Sequence, residues 1–168
     1  MESKTEAAGI EFKLFQEMRQ QLYRYAIGIL GSPHDAEDAL QEASLKVWRH
    51  TGQLPDQSSV SAWLYRVVVN TCRDHLRKKK RRPEPRPLEV HTAQTRDRYW
   101  VEFEAMIAHL PERQQEIVIL RFGLDLTFKE VADVMMLPES TVKYQLGKAI
   151  DTLRQEYKQG EEAAGNEM

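Results

Sequence analysis

Apolar residues recur at every third or fourth position along most of the chain, a spacing that predicts amphipathic helices. The pattern from Phe15 to Ile29 marks a first long helix, which Gly31 ends. Ser32 and Pro33 are typical of a helix start, so a second helix follows directly. The second helix buries Ala36, Leu40, Ala43 and Val47. A third helix, capped by Ser58 or Ser59, carries Val60, Leu64, Val67, Val68, Thr71 and His75 at helical spacing.

The C-terminal part repeats the helical pattern after a stretch that is rich in proline. The alternating prolines of residues 83–87 exclude a helix and favour an extended spacer, so we predict a linker over 81–98. Two further helices follow over 100–110 and 111–122, and strand patterns are almost absent from the sequence. We therefore predict an all-α fold with two small helical bundles at 10–80 and 99–157, a flexible linker between them, and a disordered acidic tail at 158–168.

Residues 127–153 have the most informative pattern, which is two short helices joined by a turn. Thr127 and Glu130 form a capping box, and Pro138 suits the first position of the second helix. This spacing is typical of a helix-turn-helix, whose second helix enters the major groove of DNA. The alternative is an ordinary helical hairpin with a solvated outer face. That outer face presents Ser140, Lys143, Tyr144, Gly147, Lys148 and Asp151.

The formal net charge of −2 conceals an uneven distribution of charge. Residues 51–86 hold 9 Lys and Arg against 3 Asp and Glu, whereas the segments on either side are net acidic. A basic segment of this kind favours a local contact with a polyanion. Trp63 and Tyr65 precede the basic run, and aromatic rings with cations form grooves for single-stranded nucleic acid. Alternatively, Trp63 belongs to the core and the basic run is a solvated tail.

The second predicted helix carries acidic residues on its outer side. Asp35, Asp38 and Glu42 follow helical spacing, and Leu45 continues the same line. An acidic stripe that ends in an exposed leucine suits docking onto a basic helical partner. The alternative is a face that is only solvated.

Cysteine and histidine usage argues against several other classes of protein. The lone Cys72 excludes an intramolecular disulfide, and no segment resembles a signal peptide or a membrane span, so we expect a soluble cytoplasmic protein. The 5 histidines show no metal-ligand grouping, because Cys72 and His75 form an isolated C-x-x-H pair. No nucleotide-binding loop or nucleophile motif occurs. We expect no catalytic activity, cofactor, metal or small-molecule substrate.

Four sequence blocks occur in order on the two sides of the proline-rich stretch. They are LYRYAIGILGSPHDAEDALQEASLKVW, SAWLYRVVVNTCRDHLRKK, LPERQQEIVILRF and FKEVADVMMLPESTVKYQLGKAIDTLR. Together they resemble the extracytoplasmic-function group of bacterial sigma factors, in the sigma-70 family. The resemblance implies binding to core RNA polymerase and initiation at promoter DNA, by reading the minus-thirty-five element and melting the minus-ten element. It also implies an anti-sigma factor as a partner, which could be anchored in a membrane.

The resemblance further implies roles for individual residues. The residues expected to dock on the clamp coiled coil of the polymerase are Asp38, Gln41, Glu42 and Leu45. Those expected at the minus-ten element are Ser58, Ser59, Val60, Trp63, Asn70, Arg73 and Arg77. Those expected at the minus-thirty-five element are Thr141, Lys143, Tyr144, Gly147 and Lys148.

The chain departs from the family pattern at several of these positions. Val60 replaces an aromatic residue, and Met136 replaces the glycine of the turn, which makes a left-handed residue less expected there. Tyr144 and Gln145 stand where a serine and an arginine are usual. Gly147 costs about 1 kcal/mol within a helix, and a close approach of the backbone to DNA would explain it.

A stand-alone helix-turn-helix transcriptional regulator is the alternative function. It would explain the C-terminal half, but it gives no reason for the acidic second helix or the WLYRVVVN segment. It would also normally need a dimerisation or effector module, which the sequence does not show. Binding to promoter DNA without polymerase would favour this alternative.

Overall fold

The computed structural model describes residues 2–50, 59–81 and 98–166, with side chains described from residue 9 onward. Every regular element in these ranges is a helix, which confirms the prediction of an all-α fold. The chain divides into two compact units, Met1–Thr92 and Ala93–Met168. Most of the predicted linker, residues 82–97, lies outside the described residues.

The described residues of the first unit form four helices, whose starts and ends follow from local sequence. Ser32 caps the third helix, since its Oγ accepts from the backbone N–H of Asp35 at 3.4 Å. Gly31 ends the helix before it in the left-handed conformation, at φ 72°. Ser59 Oγ accepts from Ala62 N at 3.4 Å at the start of the fourth helix. The helices are α1 (Glu2–Glu17), α2 (Arg19–Leu30), α3 (Pro33–Arg49) and α4 (Val60–Arg81).

The prediction of one long helix up to Gly31 is wrong, because α1 and α2 are separate elements. The helix ends at Glu17 and a new one begins at Arg19. Hydrogen bonds from Met18 N to Leu14 O and from Leu22 N to Met18 O, at 2.9 and 3.0 Å, maintain helical register across the junction. Continuous apolar spacing therefore cannot reveal the break. Helix α1 also begins at Glu2, ahead of the predicted start of the bundle at residue 10.

The core of the first unit lies among α2, α3 and α4, with α1 packed against all three. Each helix contributes one apolar stripe, as its spacing predicts. Burial of these stripes removes large apolar areas from water, which is the main stabilising contribution to such a bundle. Among the described residues of this unit, the hydrophobic side chains with no exposed surface are Phe15, Leu22, Tyr25, Ala26, Ala36, Ala39, Leu40, Ala43, Val47, Leu64, Val68 and Cys72.

In the second unit, two helices precede a helix-turn-helix. Pro111 precedes α6, and the predicted helix over 111–122 ends as a π-helical turn, Ile119–Gly123. A Cβ atom on Gly123 would lie 2.7 Å from the Trp100 ring, so only glycine allows this approach. The helices are α5 (Arg98–Ile107), α6 (Glu112–Val118), α7 (Phe128–Met135) and α8 (Glu139–Gly165).

The turn between α7 and α8 contradicts the expectation for Met136. This residue adopts the left-handed conformation, at φ 54° and ψ 44°, and its side chain is exposed. Its N–H and that of Leu137 both donate to Ala132 O, which closes the end of α7. These hydrogen bonds and the packing of α7 on α8 outweigh a local cost of about 1–2 kcal/mol.

The prediction of a disordered tail from residue 158 is also wrong, because α8 continues to Gly165. Residues 155–165 are rich in Gln, Glu, Lys and Ala, which are good helix formers. Gly160 costs about 1 kcal/mol without ending the helix. An acidic composition is therefore a poor criterion for disorder at this end of the chain.

The left-handed turn gives a testable prediction. Met136→Gly should raise the free energy of unfolding by about 0.5–1 kcal/mol relative to Met136→Ala, because only glycine avoids the left-handed penalty. The alanine variant is the matched control, since it removes the same side chain and keeps the penalty. Urea denaturation of both variants measures the difference. Equal stabilities would show that the left-handed turn carries no cost.

Candidate functional site

The helix-turn-helix begins with the local structure that the sequence predicts. The capping box at the start of α7 is present, with Thr127 N donating to Glu130 Oε2 at 2.7 Å and Glu130 N donating to Thr127 Oγ at 3.2 Å. Helix α8 buries Val142, Leu146 and Ala149 against the rest of the second unit. Its opposite face is therefore left for contacts outside the unit.

The residues predicted to read DNA lie on that outer face of α8. Lys143, Tyr144, Gly147 and Lys148 are all exposed, while Thr141 is half-buried. A Cβ atom built on Gly147 would meet no atom within 4 Å. Internal packing therefore does not require glycine at this position.

The cations of this outer face lie beside aromatic rings. Lys148 Nζ is 4.9 Å from the centroid of the Tyr144 ring, and Lys143 Nζ is 5.4 Å from that of Phe128. A side-chain hydrogen bond with Tyr144 raises the pKa of Lys148 above its ordinary value. The ammonium group therefore stays charged at neutral pH and is held close to the tyrosine.

In the first unit, the predicted docking residues share one side of α3. Asp38 and Gln41 are exposed, and Leu45 is 51% exposed although it is apolar. Asp35 does not belong to this surface, because it is buried, with its carboxylate 3.8 Å from Lys79 Nζ. The acidic stripe of the sequence is thus shorter than its spacing suggests.

Glu42 has the closest contacts among the residues that the sequence predicts for docking. Its Oε2 lies 2.7 Å from His75 Nε2, and its Oε1 lies 3.5 Å from Lys46 Nζ. Burial acts to raise the pKa of Glu42, but the hydrogen bond from His75 and nearby positive charges outweigh it, so the pKa is lowered. His75 therefore serves as a partner of Glu42 rather than of Cys72, which is buried in the core.

An apolar extension of this surface was not predicted from the sequence. Trp48 is one turn beyond Leu45 and is 60% exposed. Its ring contacts Phe12 of α1 edge to face, with centroids 5.8 Å apart. The sequence does contain a signal for this extension, because Trp48 stands three residues after Leu45 and therefore lies on the same face of the helix.

The predicted minus-ten residues form a line along α4. Val60 and Trp63 are half-buried near its start, Asn70 is exposed, and Arg73 and Arg77 follow toward the basic end. Arg73 donates to Asn70 Oδ1 at 3.3 Å. Ser59 is exposed and bonds to Ser61 Oγ at 2.8 Å, whereas Ser58 lies outside the described residues.

A pocket of about 270 Å³ opens between the end of α3 and this line on α4. Trp63 and Asn70, both predicted from the sequence, line it together with Val67. Lys46 of α3 and His50, which directly follows α3, complete the lining, and the motifs of the sequence pointed to neither. They are distant from α4 in sequence, so only the packing of α3 on α4 shows that they belong to the same site.

Two family models match the chain, one for each unit. The model for sigma-70 region 2 matches residues 14–82 and therefore spans α2 to α4 with all of the predicted docking residues and all of the residues that line the pocket. The model for sigma-70 region 4 matches residues 100–153, which include the helix-turn-helix.

Individual relatives agree with these models. The chain is 32% identical over 142 residues to the ECF RNA polymerase sigma factor SigM of Mycobacterium tuberculosis (strain Erdman), across 82% of this chain and 71% of that protein. It is 30% identical over 139 residues to the RNA polymerase sigma factor SigV of Bacillus subtilis, across 81% and 84%. The chain belongs to the extracytoplasmic-function sigma factors of the sigma-70 family. This sigma factor binds core RNA polymerase and directs promoter-specific initiation of transcription.

Two solved structures share the fold of this sigma factor. One is the sigma factor RpoE in complex with the anti-sigma factor NepR from Bartonella quintana, with a TM-score of 0.69 and 22% identity across 87% of this chain and 97% of that one. The other is CnrH in complex with the cytosolic domain of CnrY, with a TM-score of 0.70 and 18% identity across 92% and 94%.

In the part of this sigma factor that the structure describes, no helix is both long and apolar enough to cross a membrane. The same residues contain no cluster of His, Cys, Asp and Glu that could hold a metal ion.

Proposed function

We propose that this sigma factor uses three separate surfaces to initiate transcription. The exposed face of α3 docks on core RNA polymerase, the pocket and basic end of α4 engage the minus-ten element, and the outer face of α8 reads the minus-thirty-five element. The observation that carries the proposal is the line on α4, where an aromatic pocket leads directly into a run of cations. Stacking and phosphate contacts are the two requirements for holding a single strand.

The docking assignment rests on the chemistry of the outer side of α3. Asp38, Gln41 and Glu42 supply polar and acidic groups, while Leu45 and Trp48 leave apolar area in water. A basic helical partner would satisfy both parts, since charges set the approach and buried apolar side chains stabilise the complex. The partner proposed for this face is the clamp coiled coil of the polymerase.

The minus-ten assignment rests on how α4 combines its side chains. Trp63 provides a ring against which a base can stack, and Asn70 provides an amide for its edge. Arg73 and Arg77 follow on the same helix, and the residues after them are exposed lysines. This arrangement can take up an unpaired base and neutralise the phosphates that follow it.

The minus-thirty-five assignment rests on the outer face of α8. Lys143 and Tyr144 stand in the first turns of the projecting helix, where side chains reach base edges in the major groove. Lys148 follows one turn later and supports contacts to phosphate. Gly147, which lies between Tyr144 and Lys148, has no side chain and therefore allows the helix backbone to approach the DNA closely.

We further propose that the protein acts in the cytoplasm, under the control of an anti-sigma factor, and has no catalytic site of its own. RpoE and CnrH, which share its fold, were each solved with such a partner or with the cytosolic domain of another protein. The polymerase makes the phosphodiester bonds. A stand-alone regulator is less well supported, since it leaves the outer face of α3 and the pocket on α4 without a role.

The docking surface gives a prediction for core binding. Asp38→Lys combined with Leu45→Ala should weaken binding of the full chain to core polymerase by about tenfold or more, because it reverses a charge and removes apolar burial. Glu37→Lys is the matched control, since it reverses a charge on the same helix at a site paired with Arg19.

Fluorescence anisotropy with labelled sigma factor measures this affinity. Glu42→Lys should also weaken binding, but it breaks the contact with His75, so His75→Ala is compared with it. His75→Ala disrupts the same contact and keeps the acidic charge. Unchanged affinity in the Asp38 and Leu45 double variant would remove the docking assignment.

The outer face of α8 gives a prediction that separates stability from DNA binding. Gly147→Ala should stabilise α8 by about 1 kcal/mol, yet reduce transcription from promoters that require the minus-thirty-five element. Gly160→Ala is the matched control, because it has equal space around its Cβ in the same helix and should only stabilise. Thermal unfolding and transcription in vitro on promoters selected by the wild-type holoenzyme measure the two effects. Normal promoter use by Gly147→Ala would contradict a close approach of the backbone.

The basic end of α4 gives a prediction for strand opening. Arg73→Ala with Arg77→Ala should weaken holoenzyme binding to single-stranded minus-ten DNA by roughly 10- to 30-fold near 0.1 M salt. The logarithmic dependence on salt should become shallower by about 1.4, since two phosphate contacts are lost. Lys13→Ala with Arg24→Ala removes the same charge from α1 and α2 and should change neither quantity. If the arginine variant bound DNA as the wild type does at every salt concentration, α4 would not be the melting surface.

A further inference from the structure

The last turn of α3 and the residue that follows it each contribute one side chain to the pocket on α4. Lys46 and His50 lie one helical turn apart and line the cavity opposite Trp63 and Asn70. Helix α3 thus carries the docking face along its exposed side and reaches the nucleic-acid site with its end. No role for these two residues follows from the motifs in the sequence.

The hydrogen bond of His50 fixes the chemistry of its ring. His50 Nδ1 lies 2.9 Å from the backbone oxygen of Lys46. A carbonyl oxygen only accepts, so Nδ1 must carry the proton that it donates. In the neutral ring, Nε2 then bears the lone pair and acts as an acceptor.

Asn70 supplies the complementary group in the pocket. Arg73 donates to Asn70 Oδ1 at 3.3 Å, which directs the oxygen of the amide toward the guanidinium and leaves the NH₂ group as the donor for a ligand. The pocket therefore offers an acceptor from α3 and a donor from α4, beside the ring of Trp63. Adenine and cytosine present an amino donor next to a ring-nitrogen acceptor on their pairing edges, and an unpaired base exposes that edge.

Lys46 adds a cation that is held only loosely. Its Nζ donates to Thr71 Oγ at 3.0 Å and lies 3.5 Å from Glu42 and 3.8 Å from Asp74. The side chain is 33% exposed, so its ion pairs are partly solvated and contribute little net energy. A phosphate at the mouth of the pocket can compete with them for the ammonium group.

We propose that His50 is a specificity-determining residue of the minus-ten site. Its Nε2 accepts a hydrogen bond from the amino group of an unpaired adenine or cytosine, and Lys46 contacts a phosphate of the same strand. The inference rests on the proposed function of α4 and adds the end of α3 to it.

The experiment uses holoenzyme assembled from the full chain and core polymerase. The probe is a pool of single-stranded DNA with six randomised positions, and bound molecules are sequenced after selection. Wild-type holoenzyme should enrich adenine or cytosine over thymine at one position by roughly 5- to 10-fold. His50→Leu should lose that preference alone, whereas His50→Gln, which keeps an acceptor, should retain part of it.

Lys46→Met tests the phosphate contact separately. It should weaken binding to every sequence equally and lower the salt dependence by about 0.7, since one contact with a single strand is lost. Arg49→Met is the matched control, because Arg49 is exposed in the same turn of α3. Circular dichroism checks that each variant folds, and the holoenzyme is purified first so that docking does not affect the measurement.

Three results would overturn the inference. Enrichment of the same motif by His50→Leu and wild type would show that His50 does not read a base. Sequence-dependent losses in Lys46→Met would contradict a phosphate contact. If wild-type holoenzyme enriched no motif yet initiated transcription, the pocket would not read sequence, while the proposed function of the three surfaces would stand.

Discussion

The apolar stripe of α3 packs against both α2 and α4, and this burial sets the position of every candidate surface in the first unit. Ala36, Ala39 and Ala43 are fully buried in the stripe, and their small side chains allow the neighbouring helices to approach closely. Leu40 and Val47 fill the remaining space. Because this side of α3 packs in the core, its opposite side is exposed to solvent and its last turn lies against α4.

Polar contacts between α3 and α4 then fix how the two helices meet. Glu42 is held by His75, and Lys46 donates to Thr71, which is fully buried and in turn donates to Val67 O at 2.7 Å. These hydrogen bonds join groups that are buried or half-buried, where a hydrogen bond is electrostatically stronger than in water. The proposed docking face and the proposed minus-ten pocket therefore share one set of contacts.

The helix-turn-helix of the second unit depends on a backbone constraint at Met136. The turn accepts a left-handed methionine because the capping box at one end of α7 and the hydrogen bonds to Ala132 at its other end define a short, closed helix. The side chains of Val131 and Val134 on α7 and of Val142 on α8 are buried in the core of the unit. The outer face of α8 owes its exposure to this packing and not to its own polarity.

The sequence by itself determined the local features whose causes lie within a few residues. Ser32, Gly31 and the capping box at Thr127 mark helix ends because their hydrogen bonds and backbone angles are local. Helical spacing likewise predicted the apolar stripes and the exposed face of α8, since the period of a helix decides which side chains share a side. Helical spacing did not predict the break at Met18, because helical register continues across it.

Tertiary structure alone decided the contacts between residues that are far apart in the chain. Glu42 and His75 are separated by 33 residues, and Lys46 and Thr71 by 25, so no local pattern could pair them. The same packing buried Asp35, brought Lys46 and His50 to the pocket, and imposed a left-handed turn on Met136. In each case the energy of packing two helices exceeds the preference of a single residue, which is why the sequence pattern and the structure differ at these positions.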